Sequence, residues 1–439
     1  MSAQPEWGRE IPSGWSYRRL RTLGRFSKGF GGSKEDNRDA GVPVVRYGDL
    51  YTTFDTVITK PVAYVDHATA DTYATLRPGV LVMTASGEDR AEIGKAALSM
   101  LTGHVVVGGD AILFQPGRET DGLYLAYALQ SAPAVAQKTG LSTGFTVVHI
   151  TAGRLKTVSL PLPPVTEQRA IADYLDRETA KIDTLIEKQT TMIERLRERR
   201  AAVVRSSVLG EVSANRAATP YWFGRIPSHW QTPRLSHHHH VALGRMINAS
   251  QALDTDISVP YVAAGSIQPE ELILDAARTL TVPAADVAKY SLRRGDVVVV
   301  EGGAGYGRSH WLPADIPGWA FQNHVVRVRP RDSTVDSRFT RLVIETCRQS
   351  GFFEANNRTA TLPSLSSEVL GALRIPLPPL DEQRAIADYL DRGTAKIDAL
   401  ITKVERHIEL AKERRAALIT AAVTGQIDVT NPTQSGDAA

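Results

Sequence analysis

The sequence predicts an α+β chain of two mixed α/β domains separated by two long antiparallel coiled-coil helices, the halves forming a pseudo-two-fold internal repeat with an offset of 215 residues. Three observations lead there. A 29-residue segment that begins at Leu160 recurs from Ile375 with 23 identities and no gap, and 375 − 160 = 215. Apolar residues at heptad spacing follow both copies. Ahead of each copy, short apolar runs alternate with glycine and proline, the pattern of strands and turns. The expected parts are residues 1–165 and 211–380 as variable α/β domains, 166–210 and 381–425 as helices, and 426–439 as a disordered tail.

Composition bounds the alternatives. With 439 residues, 42% hydrophobic and 23% charged, the chain is ordinary globular material for two or three domains, not a collagen, a low-complexity tract or a disordered polymer. The net charge of 51 − 48 = +3 neither demands nor forbids a polyanionic partner, because basic footprints are local. One cysteine, Cys347, allows no internal disulfide, and no Cys/His spacing makes a zinc site, so no metal is expected. The start, Met1-Ser-Ala-Gln-Pro-Glu-Trp7, has no signal-peptide pattern, and no apolar run approaches the roughly 18 residues that cross a bilayer. A soluble, cytoplasmic protein without membrane contact is expected.

In the first domain, strands are expected at residues 42–48, 80–83 and 105–114 and a short helix at 123–130, with a glycine-rich loop at 27–34. Pro163-Pro164 must precede the first long helix, since proline breaks a helix interior. Thr166 and Asp381 are the expected N-caps, and Glu167 and Glu382 complement the helix dipole. The first apolar stripe reads Leu175, Ile182, Leu185, Met192, Leu196 and Val203, widened by Ile186 and Ile193. The second reads Leu390, Ile397, Leu400, Val404, Ala411 and Leu418, with Ile401 and Ile408 alongside. Gly210 and Gly425 sit where a helix C′ residue belongs. The 44 residues between 166 and 210 span roughly 65 Å as a helix, too long for one small domain to cover.

The second domain repeats the pattern, with strands expected at 259–262, 296–300 and 323–329, a helix at 337–349, and a glycine-rich loop at 301–308, either a flexible loop whose backbone approaches a phosphate, with Tyr306 and Arg308 at its tip, or a plain hairpin turn. Two further pieces share the offset: Ile11-Pro-Ser-Gly-Trp15 with Ile226-Pro-Ser-His-Trp230, and Glu198-Arg-Arg-Ala201 with Glu413-Arg-Arg-Ala416. Elsewhere the two domains are nearly unalike in sequence. His237-His-His-His240 has no evident counterpart at residues 22–25; it reads as a loop insertion without a role. Of the 17 basic residues in 211–380, 16 are arginine, whose fork suits guanine edges and phosphates.

No catalytic constellation is present. The only Asn-Pro, Asn431-Pro432, lies in the polar tail, and there is no P-loop, no GxSxG and no HExxH. Asp381-Glu-Gln-Arg384 parallels Thr166-Glu-Gln-Arg169 and is a helix start, not a helicase box. What the repeat keeps instead is polar surface: Glu167, Gln168, Arg169 and Asp173, matched by Glu382, Gln383, Arg384 and Asp388. Core packing tolerates apolar swaps, so repeated polar residues suggest that two identical partner subunits each dock on one copy.

Pro-Leu-Pro-Pro-x-x-Glu-Gln-Arg-Ala-Ile-Ala-x-Tyr-Leu-Asp, heading a long helix twice in one chain behind dissimilar domains, resembles the specificity subunit of type I restriction-modification systems. Gly41-Val-Pro-Val-Val-Arg-Tyr-Gly48 and Leu292-Arg-Arg-Gly-Asp-Val-Val-Val299 look like target-recognition-domain strands of that family, and the likeness runs from about Trp7 to Gly425. The resemblance implies a non-catalytic subunit whose two target recognition domains read the halves of a bipartite double-stranded DNA site. It implies two modification subunits, which bring S-adenosylmethionine, and two restriction subunits, which use ATP and Mg; no cofactor is expected on this chain. The candidate DNA contacts are Arg25, Lys28 and Lys34 in the first domain, and Arg245, Asn248, Tyr306, Arg308, Asn323 and Arg358 in the second. The competing expectation is a coiled-coil scaffold whose duplicated end domains bind proteins rather than DNA.

Overall fold

The computed structural model describes residues 11–32, 34–247, 256–268, 271–356 and 364–429. Among them, no helix is long and apolar enough to cross a membrane. The two long helices are each 44 residues, Val165–Val208 and Leu380–Val423. Both begin one residue before the expected caps. The carbonyls of Pro164 and Pro379 accept the first helical N–H bonds, so Thr166 and Asp381 lie inside the first turn. A proline fits there because the cap position is asked only for its carbonyl.

The chain divides into two compact units, residues 1–190 with 405–439, and residues 191–404. In the first unit, a five-stranded sheet contains Gly24–Lys28, Ala111–Pro116, Leu81–Thr84, Ala96–Ser99 and Val57–Ile58, in that order. A four-stranded sheet pairs Val42–Val45 antiparallel to Ala63–Val65 and parallel to Val105–Val107, with Ala74–Leu76 at its edge. Leu81, Met83, Ile112 and Phe114 from the larger sheet share one core with Tyr124, Tyr127, Ile171 and Leu175, and with Ile419 and Val423 of the second long helix. The first α/β domain is thus closed by the start of its own helix and the end of the other.

The second unit has the same plan. Its sheet runs His239–Leu243, Val325–Pro330, Val297–Val300, Ser309–Trp311, and its smaller sheet pairs Asp256–Val262 antiparallel to Thr279–Pro283 and parallel to Ala320–Phe321. Its core joins Val297, Val328, Phe339 and Val343 to Val204 and Val208 of the first long helix and Ala387 and Leu390 of the second. The 215-residue offset extends well beyond the sequence anchors. Leu20–Leu23 corresponds to Leu235–His238, Gly24–Lys28 to His239–Leu243, and Ser16 pairs with Leu162 as Gln231 pairs with Leu377.

This placement corrects the reading of His237–His240 as an insertion. The tract is the short helix and first strand that the repeat requires. His239 is 1% exposed; its ring nitrogens meet the Leu235 carbonyl at 3.1 Å and Thr340 Oγ1 at 3.1 Å. Burial pushes its pKa down to about 4, so it is a neutral core residue.

The apolar seam also has a different phase from the one expected. Gln168, Ala172, Leu175, Thr179, Ile182, Ile186 and Ile193 are buried or half-buried at alternating heptad steps, as are Gln383, Ala387, Leu390, Thr394, Ile397, Ile401, Val404 and Ile408. Leu185, Met192 and Leu400 are 48%, 42% and 38% exposed and lie outside the seam. In each unit the helices run antiparallel. Arg415 Nε meets Asp183 at 2.9 Å in the first unit, and Arg200 Nε meets Asp398 at 2.7 Å in the second. Both pairs have one register, since 415 + 183 = 598 and 200 + 398 = 598.

Candidate nucleic-acid interface

The helix starts serve as clasps for the two α/β domains. Gln168 Oε1 accepts from the Asp121 N–H at 2.8 Å, and its Nε2 donates to the carbonyls of Glu119 and Pro163. Asp121 in turn caps helix Gly122–Ala128. Gln383 repeats this with the Asp336 N–H at 2.8 Å and the carbonyls of Thr334 and Pro378, below helix Ser337–Gln349. Glu167 accepts from Trp15 Nε1 at 3.0 Å, and Glu382 from Trp230 Nε1 at 3.0 Å.

The helix ends close the same junctions. Gly210 and Gly425 have φ of 58° and 71°, and Glu211 and Gln426 donate back to Ser206 and Ala421 as in a Schellman motif. A Cβ on Gly210 would lie 2.5 Å from Pro227, and one on Gly425 2.4 Å from Pro12. The repeated Ile-Pro-Ser-x-Trp segments therefore wedge between a helix end and a helix start.

These contacts revise the expected partner surface. Gln168 and Gln383 are 0% and 1% exposed and cannot meet a partner; their conservation between the halves reflects buried hydrogen bonding. Glu167 and Glu382 hold tryptophans. Arg169, Asp173, Arg384 and Asp388 are exposed, although Asp388 pairs with Arg338 at 2.7 Å. Sequence inspection missed Trp15 and Trp230 as the partners of the glutamates, although their shared 152-residue separation was the available signal.

In the second unit, three candidate DNA contacts come together where strands of both sheets end. The Arg245 N–H donates to the Phe321 carbonyl at 2.8 Å, and the Asn323 N–H donates to the Arg245 carbonyl at 2.9 Å. Beside them the Glu301 N–H donates to the His324 carbonyl at 3.0 Å, and Arg308 Nη1 donates to Gln268 Oε1 at 3.1 Å. Arg245, Asn323, Arg308, Gln268 and His324 form a surface dense in donors and acceptors, the chemistry that distinguishes base edges. Tyr306 does not belong to it. Its hydroxyl donates to the Phe353 carbonyl at 3.4 Å and its ring packs edge-on to Phe353 at 6.2 Å, so it anchors the loop to the body instead of standing at the tip. Asn248 and Arg358 lie outside the described residues.

In the first unit, Lys28 ends its strand at the corresponding sheet end and is exposed. Arg25 is three residues back, about 10 Å along the strand, in a cleft of about 740 Å³ with Arg18, Gln115 and Arg118. Lys34 opens the turn Lys34–Asp36. The loop before it is not free: Gly31 and Gly32 have φ of 93° and 60°, and a Cβ on Gly32 would lie within 1.4 Å of Tyr73 Oη. Its glycines serve close packing, not mobility.

Arginine abundance in the second domain is largely structural. Arg329 forks onto buried Asp296 with both bonds at 2.7 Å, Arg327 donates to the carbonyls of Lys289 and Ser291, and Arg338 holds Asp336, Asp388 and Asp391. Burial pushes the Arg327 pKa down to about 10, with neighbouring Arg329 adding to the shift. Among the described residues, no group of three or more His, Cys, Asp or Glu could hold a metal ion.

A family model described as the type I restriction modification DNA specificity domain matches the chain twice, over residues 12–195 and 227–410. The matches are themselves 227 − 12 = 215 residues apart. The type I restriction enzyme StySPI specificity subunit of Salmonella potsdam is 21% identical over 438 residues, 95% of this chain and 90% of that protein. The MjaVIII specificity subunit of Methanocaldococcus jannaschii is 23% identical over 333 residues, 73% of each. A chain from a solved structure, described as the structural basis of complex assembly and conformational transition of the type I R-M system, has a TM-score of 0.66 at 18% identity; the alignment covers 95% of this chain and 100% of that one. That likeness concerns the fold. With the family model covering most of its length, in two copies that fall on the two recognition domains and the helices behind them, this chain belongs to the type I restriction modification DNA specificity domain family.

Proposed function

We propose that the chain is the DNA sequence-specificity subunit of a type I restriction-modification complex, each recognition domain reading one half of a bipartite double-stranded site. The observation that carries this reading is the pairing of like and unlike: clasps, caps and helix register repeat at one offset, while the side chains at the strand ends differ between the domains. A scaffold with duplicated protein-binding ends gives no reason for that division. The subunit itself is non-catalytic and acts in the cytoplasm. S-adenosylmethionine, ATP and Mg belong to the modification and restriction subunits, expected as two of each.

The modification subunits dock on the outer faces of the long helices. Support comes from the apolar side chains left off the seam, Leu185 and Leu410 in the first unit and Met192, Tyr389 and Leu400 in the second, and from exposed Arg169, Asp173, Arg384 and Asp388 near the helix starts. The helices also set the length of the unread spacer.

Incubating the chain and its modification subunit with a random DNA library and sequencing the bound fraction tests the reading. It predicts two short motifs at one fixed spacing. Recovery of no motif contradicts DNA reading and favours the scaffold.

A further inference from the structure

We propose that Phe145 is a specificity-determining residue of the first recognition domain, its ring packing on the 5-methyl group of a thymine in the major groove of that domain's half-site. The inference rests on the DNA-reading function above and names a chemistry for it.

Phe145 is 100% exposed, so its ring does nothing for the fold. Single exposed apolar residues are common and need no explanation, but this one stands on a built turn. Thr143 and His149 exchange backbone bonds at 3.0 and 2.7 Å, and Val148–His149 pairs with Ser86–Gly87. Arg90 donates a guanidinium N–H to the Gly144 carbonyl. Gly144 has φ of 104°, and a Cβ there would lie 2.0 Å from the Val147 carbonyl oxygen, so the turn accepts only glycine at this point. Val147, 45% exposed, extends the apolar tip.

The turn also lies at the end of the sheet where Lys28 ends its strand. The Gly29 N–H donates to the Ala111 carbonyl at 2.9 Å, Ala85 to Asp110 at 3.1 Å, and Ile150 to Ala85 at 2.9 Å, linking the four strand ends side by side. Phe30, 57% exposed, is at the same end. In the second unit, Gly302 bridges Ser364 one repeat after Gly87 pairs near His149, beside the cluster of Arg245 and Asn323.

Exposed Glu88, Asp89 and Glu92 follow the paired strand Ser86–Gly87 and offer no charge for phosphates, so the contact made here is that of the ring. A ring needs an apolar partner, and the minor groove presents only acceptors and the guanine amino group. The wider major groove admits the turn and presents one apolar feature, the thymine methyl, which phenylalanine contacts. Ser86 and His149, joined at 2.9 Å, sit beside it with polar atoms for an adjacent base edge.

The test uses the full chain with its modification subunit and the DNA selected above, after exchange of residues 1–159 has shown which half-site the first domain reads. Each thymine there is replaced by uracil, which deletes only the methyl. Wild-type protein should lose about fourfold in affinity at one position, the value of burying about one methyl-sized group. Phe145→Ala should bind the thymine site more weakly and show no loss on uracil substitution, while Phe145→Leu should retain part of the preference. Wild-type indifference to uracil at every position, a half-site without thymine, or a Phe145→Ala protein that still prefers thymine overturns the assignment while leaving bipartite reading intact. If wild-type protein selects no DNA at all, the function fails and this inference with it.

Discussion

At the scale of the residue, the repeated Gln168 and Gln383 show how a conserved polar side chain becomes structure. Each carboxamide satisfies a helix-cap N–H and two carbonyls in a site closed to water. Losing such a side chain leaves buried donors and acceptors unpaired, so Gln168→Ala should cost about 2–3 kcal/mol, whereas Arg169→Ala on the open face should change stability by less than about 0.5 kcal/mol. Thermal melts of the two variants check the contrast; equal shifts contradict the clasp. The sequence revealed that these positions matter but not which way they point, because a repeated polar residue looks the same whether it faces a partner or a buried cap. Tyr306 was misplaced for a related reason: glycine flanks suggest a loop tip, and only packing on Phe353 reveals an anchor.

His239 supplies a pH dependence with a definite sign. The folded protein holds the imidazole neutral, its pKa lowered from 6.5 to about 4 by burial. As pH falls below 6.5 the unfolded chain takes up a proton first, so stability is lost progressively between about 6.5 and 4, amounting to roughly 3 kcal/mol. Above pH 7 the group contributes no slope. The urea midpoint of the second unit should therefore fall between pH 7 and pH 4.5 in the wild type, and by less in His239→Gln. Equal falls in both proteins contradict a role for this histidine.

At the scale of the element, the long helices were legible in length, in their glycine ends and in their apolar content. The seam phase was not, because the apolar residues outnumber the heptad positions: Leu185 and Ile186 compete, as do Leu400 and Ile401, and only burial decides for the isoleucines. The helix starts were missed by one residue because proline at the cap position hides an ordinary carbonyl cap. The common register bears on engineering. Four residues added to one helix near Thr190 would shift its seam against the other and break the Arg–Asp pairs. Seven added to both, after Thr190 and after Val404, keep every pair within each unit. Such a matched insertion should lengthen the spacer between half-sites by about 10 Å, roughly three base pairs, with both half-sites unchanged in a repeat of the DNA selection. An unchanged spacer refutes the helices as its determinant.

At the scale of the whole molecule, two repeated units were readable from one offset, and the family from the residues that head the helices. That the two domains follow one plan was readable, but their sheet order and pairing were not. Four strands of the larger sheets share an order, and three of the smaller sheets a pairing, while the sequences diverge, because sheet formation asks only for alternating apolar strands of the right length, and the strand ends are free to vary. The proposed modular reading draws on that freedom. Replacing residues 1–159 with the corresponding domain of another specificity subunit, then repeating the DNA selection on the folded chimaera, tests it most directly. The expected result is one new half-site, with the other half and the spacing retained. A chimaera that folds yet changes both halves, or binds no DNA, contradicts the account.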